Sequence, residues 1–377
     1  MIDSAKIDRA LRSDAVPNVV ALVTTKDQTI YQSAHGHRDP THPMTLDTIF
    51  ALASMTKAIT SVAAMQLVEQ GRLALDAAIA ETLPALANPQ VLQGFDAAGA
   101  PILAPATRPI TLRQLLTHSS GYGYVTWNAP LLRYHDHTKT PSIPSSDAEL
   151  AAIPLVFDPG SSWNYSISTD LVGRAIEAVT RQPLEAYLRA NLLDPLGMHD
   201  TAATLTAEQR ARMAGMLARH PDGTLHPTEF NSGRGIGYFG GGGSLCGTGP
   251  DYARFLRMLL GGGPAILRPE TIADMARNHI GELDMLPMRT ALPRSNDLDF
   301  FPTVPKKWGL GFLINTKDIP GRRHAGSLAW AGIANTYFWV DPTAGIAGIL
   351  LTQILPFADQ PALDLLEAFE TAVYAAL

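Results

Sequence analysis

The stretch LASMTK, residues 52–57, sets a serine and a lysine three positions apart. A serine hydroxyl is a weak nucleophile until a base takes its proton. An unprotonated lysine amine can be that base, and burial disfavours the charged form of a lysine. Residues three apart on a helix share a face, which brings Ser54 and Lys57 within reach of one another. A position at the helix N-terminus would also turn backbone N–H groups, that of Ser54 included, toward developing negative charge. Ser54 is the only serine of the chain with lysine three positions later. The bland alternative is a solvated helix face, but the flanks IFALAS and AITSVAAM are apolar, and a buried lysine needs a reason.

Two further segments carry groups suited to the same chemistry. FDPGSSWNYSISTDLVG places Tyr165 in a Gly- and Ser-rich stretch just ahead of a helix. A phenol there can share a proton with the lysine and relay it to a leaving group. The alternative is a half-buried tyrosine with a satisfied hydroxyl. HAGSLAWAGIANTYFWVDP reads as a turn running into a strand. Small residues beside Trp330 let backbone approach a substrate, and a strand-edge N–H would serve as a second oxyanion donor. An ordinary β-hairpin is the alternative.

The elements that must position these groups follow from periodicity. VVALVTTKDQTIYQSAHG predicts two strands around a turn at Lys26-Asp27. In SMTKAITSVAAMQLVEQGRL the apolar residues keep helical spacing up to a stop at Gly71. VLQGFDAAGAPIL predicts a small hairpin, TLRQLLTHSS a short helix, and the proline-rich residues 128–160 a loop. STDLVGRAIEAVTRQPLEAYLRANLL is helical with an interruption near Pro183, and PDYARFLRMLLGGG is a helix with Gly261 beyond its end. KWGLGFLIN, NTYFWVDP and GIAGILLTQI return to strands before an amphipathic last helix, PALDLLEAFETAVYAAL. Strands thus gather at both ends and helices in the middle. The expected class is α+β, an α/β sandwich with a central antiparallel sheet flanked by helices, plus a mainly helical lobe. The expected division is a discontinuous domain of residues 1–75 and 225–377 and a helical lobe of residues 76–224, with the active site between them.

Composition excludes several classes. The 377 residues are 46% hydrophobic and 17% charged, enough to bury a large core, with a net charge of −6 and no long run of either sign. Neither a nucleic-acid surface nor a polybasic anchor is indicated. No apolar run approaches the ~18 residues of a membrane span. The single cysteine, Cys246, allows no intrachain disulfide, and the N-terminus lacks an apolar signal-type core, so a cytoplasmic location is expected. GIGYFG at 235–240 has dinucleotide-loop spacing but opens no helix, and reads better as a flexible loop near the active-site mouth. His35 with His37 and His135 with His137 lack companion metal ligands, and no Gly-x-Ser-x-Gly elbow occurs.

Taken together, SMTKAIT, LLTHSSGYGY, YSISTDLVGRAIE, GGGGSLCGTGPDYARFLRMLL and WAGIANTYFWVDP resemble the serine β-lactamase superfamily. Within it the chain is most similar to class C-like β-lactamases and the family VIII carboxylesterases of the same fold. The resemblance runs nearly end to end and implies a β-lactamase/D-peptidase-like fold. It implies Ser54 as acylated nucleophile, Lys57 and Tyr165 sharing base and acid work, and the N–H groups of Ser54 and Ile333 as oxyanion hole. It implies no metal or organic cofactor. WAG stands where lactamases carry Lys-Thr-Gly, with HAG at 324–326 as competitor, and His118 resembles a structural, loop-fixing position. Ile167 replaces the Asn of the lactamase Tyr-x-Asn motif, and Trp330 replaces a lysine that helps bind the β-lactam carboxylate. Both changes remove polar recognition and leave apolar surface, which favours an uncharged ester. The aromatics Tyr122, Tyr124, Trp127, Tyr238 and Phe239 fall in loops, where they could line an acyl or alcohol pocket; with Trp330 and Gly332, Tyr122, Trp127 and Tyr238 are the expected substrate contacts. The expected activity is hydrolysis of a small, mostly apolar carboxylic ester. β-Lactamase or D-amino-acid peptidase, acyltransferase or amidase, and a catalytically silent binding protein remain as alternatives.

Overall fold

The computed structural model describes residues 2–229, 239–264 and 266–377. Its centre is a seven-stranded antiparallel sheet. The strands are β1 (Val19–Thr25), β2 (Thr29–His35), β3 (Lys306–Trp308), β4 (Leu313–Asn315), β5 (Leu328–Gly332), β6 (Thr336–Asp341) and β7 (Ile346–Leu351). Their order is β3-β4-β5-β6-β7-β1-β2, so the first and last segments of the chain pair at β1 and β7, with Val20 opposite Leu351. β1 is almost wholly apolar and buried because both faces of the sheet are covered.

The helices that matter to the site are α1 (Ser4–Ala10), α2 (Thr56–Glu69), α3 (Leu112–Leu116), α4 (Ser168–Thr180), α5 (Gly249–Leu259) and α6 (Gln360–Tyr374). Neighbouring side chains of a strand point to opposite faces, and β6 shows what lies on each. Phe338 meets Tyr252 of α5 at 5.3 Å between ring centres, while Trp339 meets Phe369 of α6 at 5.6 Å. Trp339 lies over Gly348 of the paired strand, where a Cβ would come within 2.1 Å of the indole. α2 packs against α4 and carries the candidate lysine.

Two expectations change. Residues 128–160 are not all loop: Asn128 caps a helix over Ala129–Thr138 and Ser146 caps another over Asp147–Ala151. Each cap side chain accepts a backbone N–H three residues on, and the prolines precede or open these helices instead of breaking them. KWGLGFLIN is two short strands, because Gly311 turns with φ +103° and a Cβ there would lie 2.4 Å from Ser61 Oγ. The GIGYFG stretch lies, up to Tyr238, outside the described residues; the glycines at 240–243 that follow it are buried or half-buried. The hairpin Gln90–Phe95 with Pro101–Pro105 and the helix break at Pro183 stand as expected. No helix among the described residues is long and apolar enough to cross a membrane.

Candidate active site

Ser54 sits at a sharp entry into α2. Phe50–Ala51 pairs with Cys246–Gly247, and Leu52 N–H continues to Leu245 O at 3.0 Å. Ala53 then takes φ +47°, unusual for a residue with a side chain, and a 3-10 turn over Ala53–Met55 leads into the helix. From residue 48 to residue 67, Ser54 is the one residue that is not buried. Lys57 is 1% exposed.

The lysine ammonium carries three N–H donors, and three acceptors surround it. Nζ lies 3.2 Å from Ser54 Oγ, 3.1 Å from the Tyr124 hydroxyl and 2.7 Å from Gly242 O. It stands over the Tyr165 ring at 5.0 Å from the centroid and over that of Tyr124 at 5.2 Å. The expected shared proton between Lys57 and Tyr165 is thus not a direct contact in this state. The Tyr165 hydroxyl accepts the indole N–H of Trp330 at 3.1 Å, and the hydroxyl bonded to Lys57 is that of Tyr124. Tyr124 was legible only as one aromatic in a loop; what gives it this place is the packing of that loop over α2.

The end of β5 abuts the serine turn. A Cβ on Gly332 would fall 2.4 Å from Leu52 O, so only glycine admits this approach. Ile333, the next residue, is half-buried beside it. The competing HAG lies at the other end of β5, where His324 pairs with Asp341 at 2.7 Å. Trp330 is buried among Tyr165, Trp308 and Phe300, at 4.8, 4.6 and 6.2 Å, and also walls a cavity of about 320 Å³ shared with Leu313, Phe338 and Leu366.

Other predicted positions divide. Trp127 is half-buried 5.3 Å from the Tyr165 ring, its indole N–H donated to Ser295 Oγ at 3.0 Å. Tyr122 is only 2% exposed, and burial raises its phenol above the usual range. Ile167 has 0% exposure, so it removes a polar group without adding apolar surface, a correction to the expectation. Tyr238 lies outside the described residues.

His118 lies behind Tyr165, edge to face at 4.9 Å, with φ +58°. Its Nδ1 meets Ser166 Oγ at 3.0 Å, and a hydroxyl chain continues through Ser168 to Ser120. Burial, aided by the nearby Lys57 charge, holds this imidazole well below the usual histidine range. The unfolded chain therefore takes up a proton near pH 6.5 that the folded chain refuses, so this group's contribution to stability is lost as pH falls below about 6.5. His118→Gln is expected to lessen the fall in melting temperature between about pH 7.5 and 5. An unchanged slope in calorimetry would refute it.

Residues 4–372 match the sequence profile of the Beta-lactamase family. The chain belongs to the beta-lactamase family. A lovastatin esterase of Penicillium rubens is 32% identical over 392 residues, covering 99% of this chain and 96% of that protein. A monacolin J acid methylbutanoyltransferase of Aspergillus terreus is 36% identical over 349 residues, covering 88% of this chain and 83% of that protein. The LovD6 mutant of simvastatin synthase from Aspergillus terreus superposes with a TM-score of 0.85 at 30% identity, covering 98% of this chain and 93% of that one. The fold is accordingly that of beta-lactamases, and the relatives it resembles include an esterase and acyltransferases.

Proposed function

We propose that the protein is a serine carboxylesterase acting on small, mostly apolar esters through an acyl-enzyme on Ser54. The observation that carries this reading is Lys57 Nζ set 3.2 Å from the one accessible serine of an otherwise buried segment. Lys57, unprotonated at that moment, accepts the Ser54 proton as Oγ attacks the ester carbonyl. The N–H groups of Ser54 and Ile333 hold the oxyanion. The proton returns to the departing alcohol by way of Lys57 and the phenols of Tyr124 and Tyr165, and water then releases the acid. The absence of a cation at Trp330 and of an amide at Ile167 supports an uncharged ester over an anionic β-lactam.

The test is turnover of p-nitrophenyl butyrate beside a chromogenic cephalosporin, with Ser54→Ala as control. Fast ester cleavage, weak lactam turnover and loss of both in the variant are expected; dominant lactam turnover would overturn the substrate class. Acyl transfer is the second reading, favoured by the relative named as a methylbutanoyltransferase. Adding an alcohol acceptor and measuring transfer product separates it from hydrolysis.

Trp127 closes the site on the side of Tyr165 and Phe357, its ring 6.2 Å from the latter. Trp127→Ala is expected to shift preference toward longer acyl or alcohol chains, changing the ratio of kcat/KM for hexanoate over acetate by about tenfold. An unchanged ratio across the p-nitrophenyl ester series would remove Trp127 from the pocket.

A further inference from the structure

Gly242 O is the closest acceptor of Lys57, and the backbone that carries it is held at several points. Gly241 O accepts the Thr60 hydroxyl at 2.7 Å, and Gly242 N–H is donated to Asp170 Oδ1 at 2.9 Å. These two bonds clamp the same peptide unit, one from α2 and one from α4. Gly240 N–H is donated to Ser244 Oγ at 2.9 Å, which closes the turn. No side chain fits at three of the strap's four glycines. A Cβ on Gly240 or Gly242 would fall 2.5 Å from an Asp170 carboxylate oxygen, and one on Gly241 would fall 2.8 Å from Thr169 O. Gly173 of α4 makes room in turn, its own Cβ position lying 3.3 Å from Gly241. Thr60 stands one helical turn beyond Lys57 on the same face of α2, so one helix presents both the lysine and the hydroxyl that fixes the lysine's anchor.

We propose that Gly240–Gly243 is a rigid backbone strap that aims the Lys57 amine at Ser54, with Thr60 and Asp170 as the positioning residues that hold it. This rests on the reading of Lys57 as the proton acceptor of Ser54. A lysine has four rotatable side-chain bonds, and burial alone does not choose among its rotamers. The Gly242 carbonyl takes one N–H of the amine and leaves the others toward Ser54 and Tyr124. Displacement of the strap by a fraction of an ångström would swing Nζ away from Oγ, and small misplacements of reacting groups cost rate steeply.

The test compares Thr60→Val, which keeps shape and deletes the hydroxyl, with Thr60→Ser, which keeps the hydroxyl. Ester turnover is followed against pH, beside the rate of Ser54 labelling by a fluorophosphonate. Thr60→Val is expected to lose roughly ten- to a hundred-fold in kcat with KM within about twofold, and to shift the kcat–pH profile. Thr60→Ser is expected to recover to within about threefold of wild type. Wild-type kcat and pH profile in folded Thr60→Val, or equal losses in both variants, would overturn the strap. Asp170→Asn, which keeps an acceptor oxygen for Gly242 N–H, is expected to outperform Asp170→Ala and gives the answer should the valine variant not fold. Ser54→Ala in the same assay separates the two levels. Its continued turnover would sink the nucleophile reading, whereas a dead Ser54→Ala beside an unaffected Thr60→Val sinks the strap alone.

Discussion

Lys57→Ala is expected to lower ester turnover by about 10³-fold or more with the fold intact. Two losses combine. Ser54 loses the amine hydrogen-bonded to its Oγ, and the Tyr124 hydroxyl and Gly242 O lose their shared donor. The second loss leaves a buried carbonyl unpartnered, at a cost to stability of about 1–3 kcal/mol that a protein of this size tolerates. Stopped-flow measurement with p-nitrophenyl butyrate and intact-protein mass spectrometry test the two parts of the claim. The variant should show neither a burst nor an acyl adduct, while its circular dichroism matches wild type. Turnover within tenfold of wild type would show that another group takes the serine proton, and would remove the basis for the strap as well.

Glu370→Ala is expected to be the most destabilising single change away from the site, by about 3–5 kcal/mol. Glu370 of α6 pairs with Arg323 through two bonds of 2.7 Å, and their side chains are 1% and 4% exposed. The guanidinium lies 5.1 Å from the Phe301 ring centre and 5.4 Å from that of Trp339. Truncating the acid strands a buried cation; replacing both partners by apolar residues of similar volume, as in Arg323→Met with Glu370→Leu, should restore most of the loss. Urea unfolding measures both. A single-variant cost under about 1 kcal/mol would mean that water reaches the pair.

The two kinds of effect differ in how far the sequence announced them. The strands at both chain ends were legible because VVALVTT and IAGILL are continuous apolar runs, and such runs settle only where both faces are covered. Helices α2, α4, α5 and α6 were legible from their apolar spacing, and α2 also from its stop at Gly71. The helices at 129–138 and 147–151 were hidden by their prolines, although Asn128 and Ser146 are ordinary caps that could have been read. The pair Arg323–Glu370 was not legible at all, since 47 positions separate the partners and neither has a local partner signal.

Ser54 and Lys57 were adjacent on paper because helical geometry alone sets residues three apart on one face, and no other part of the protein is needed for that. The sequence by itself therefore determined the pairing of serine with lysine, the strands at both chain ends and the long helices between and after them. Which phenol meets Lys57, which carbonyl anchors it, and why Gly240, Gly241 and Gly242 carry no side chain were decided only in three dimensions. Tyr124, Asp170 and Gly242 lie 67, 113 and 185 positions from Lys57 along the chain. Local periodicity carries no information over such spans. Their meeting depends on how closely α2 and α4 can pack, and that distance is set by the missing side chains at Gly173, Gly240, Gly241 and Gly242.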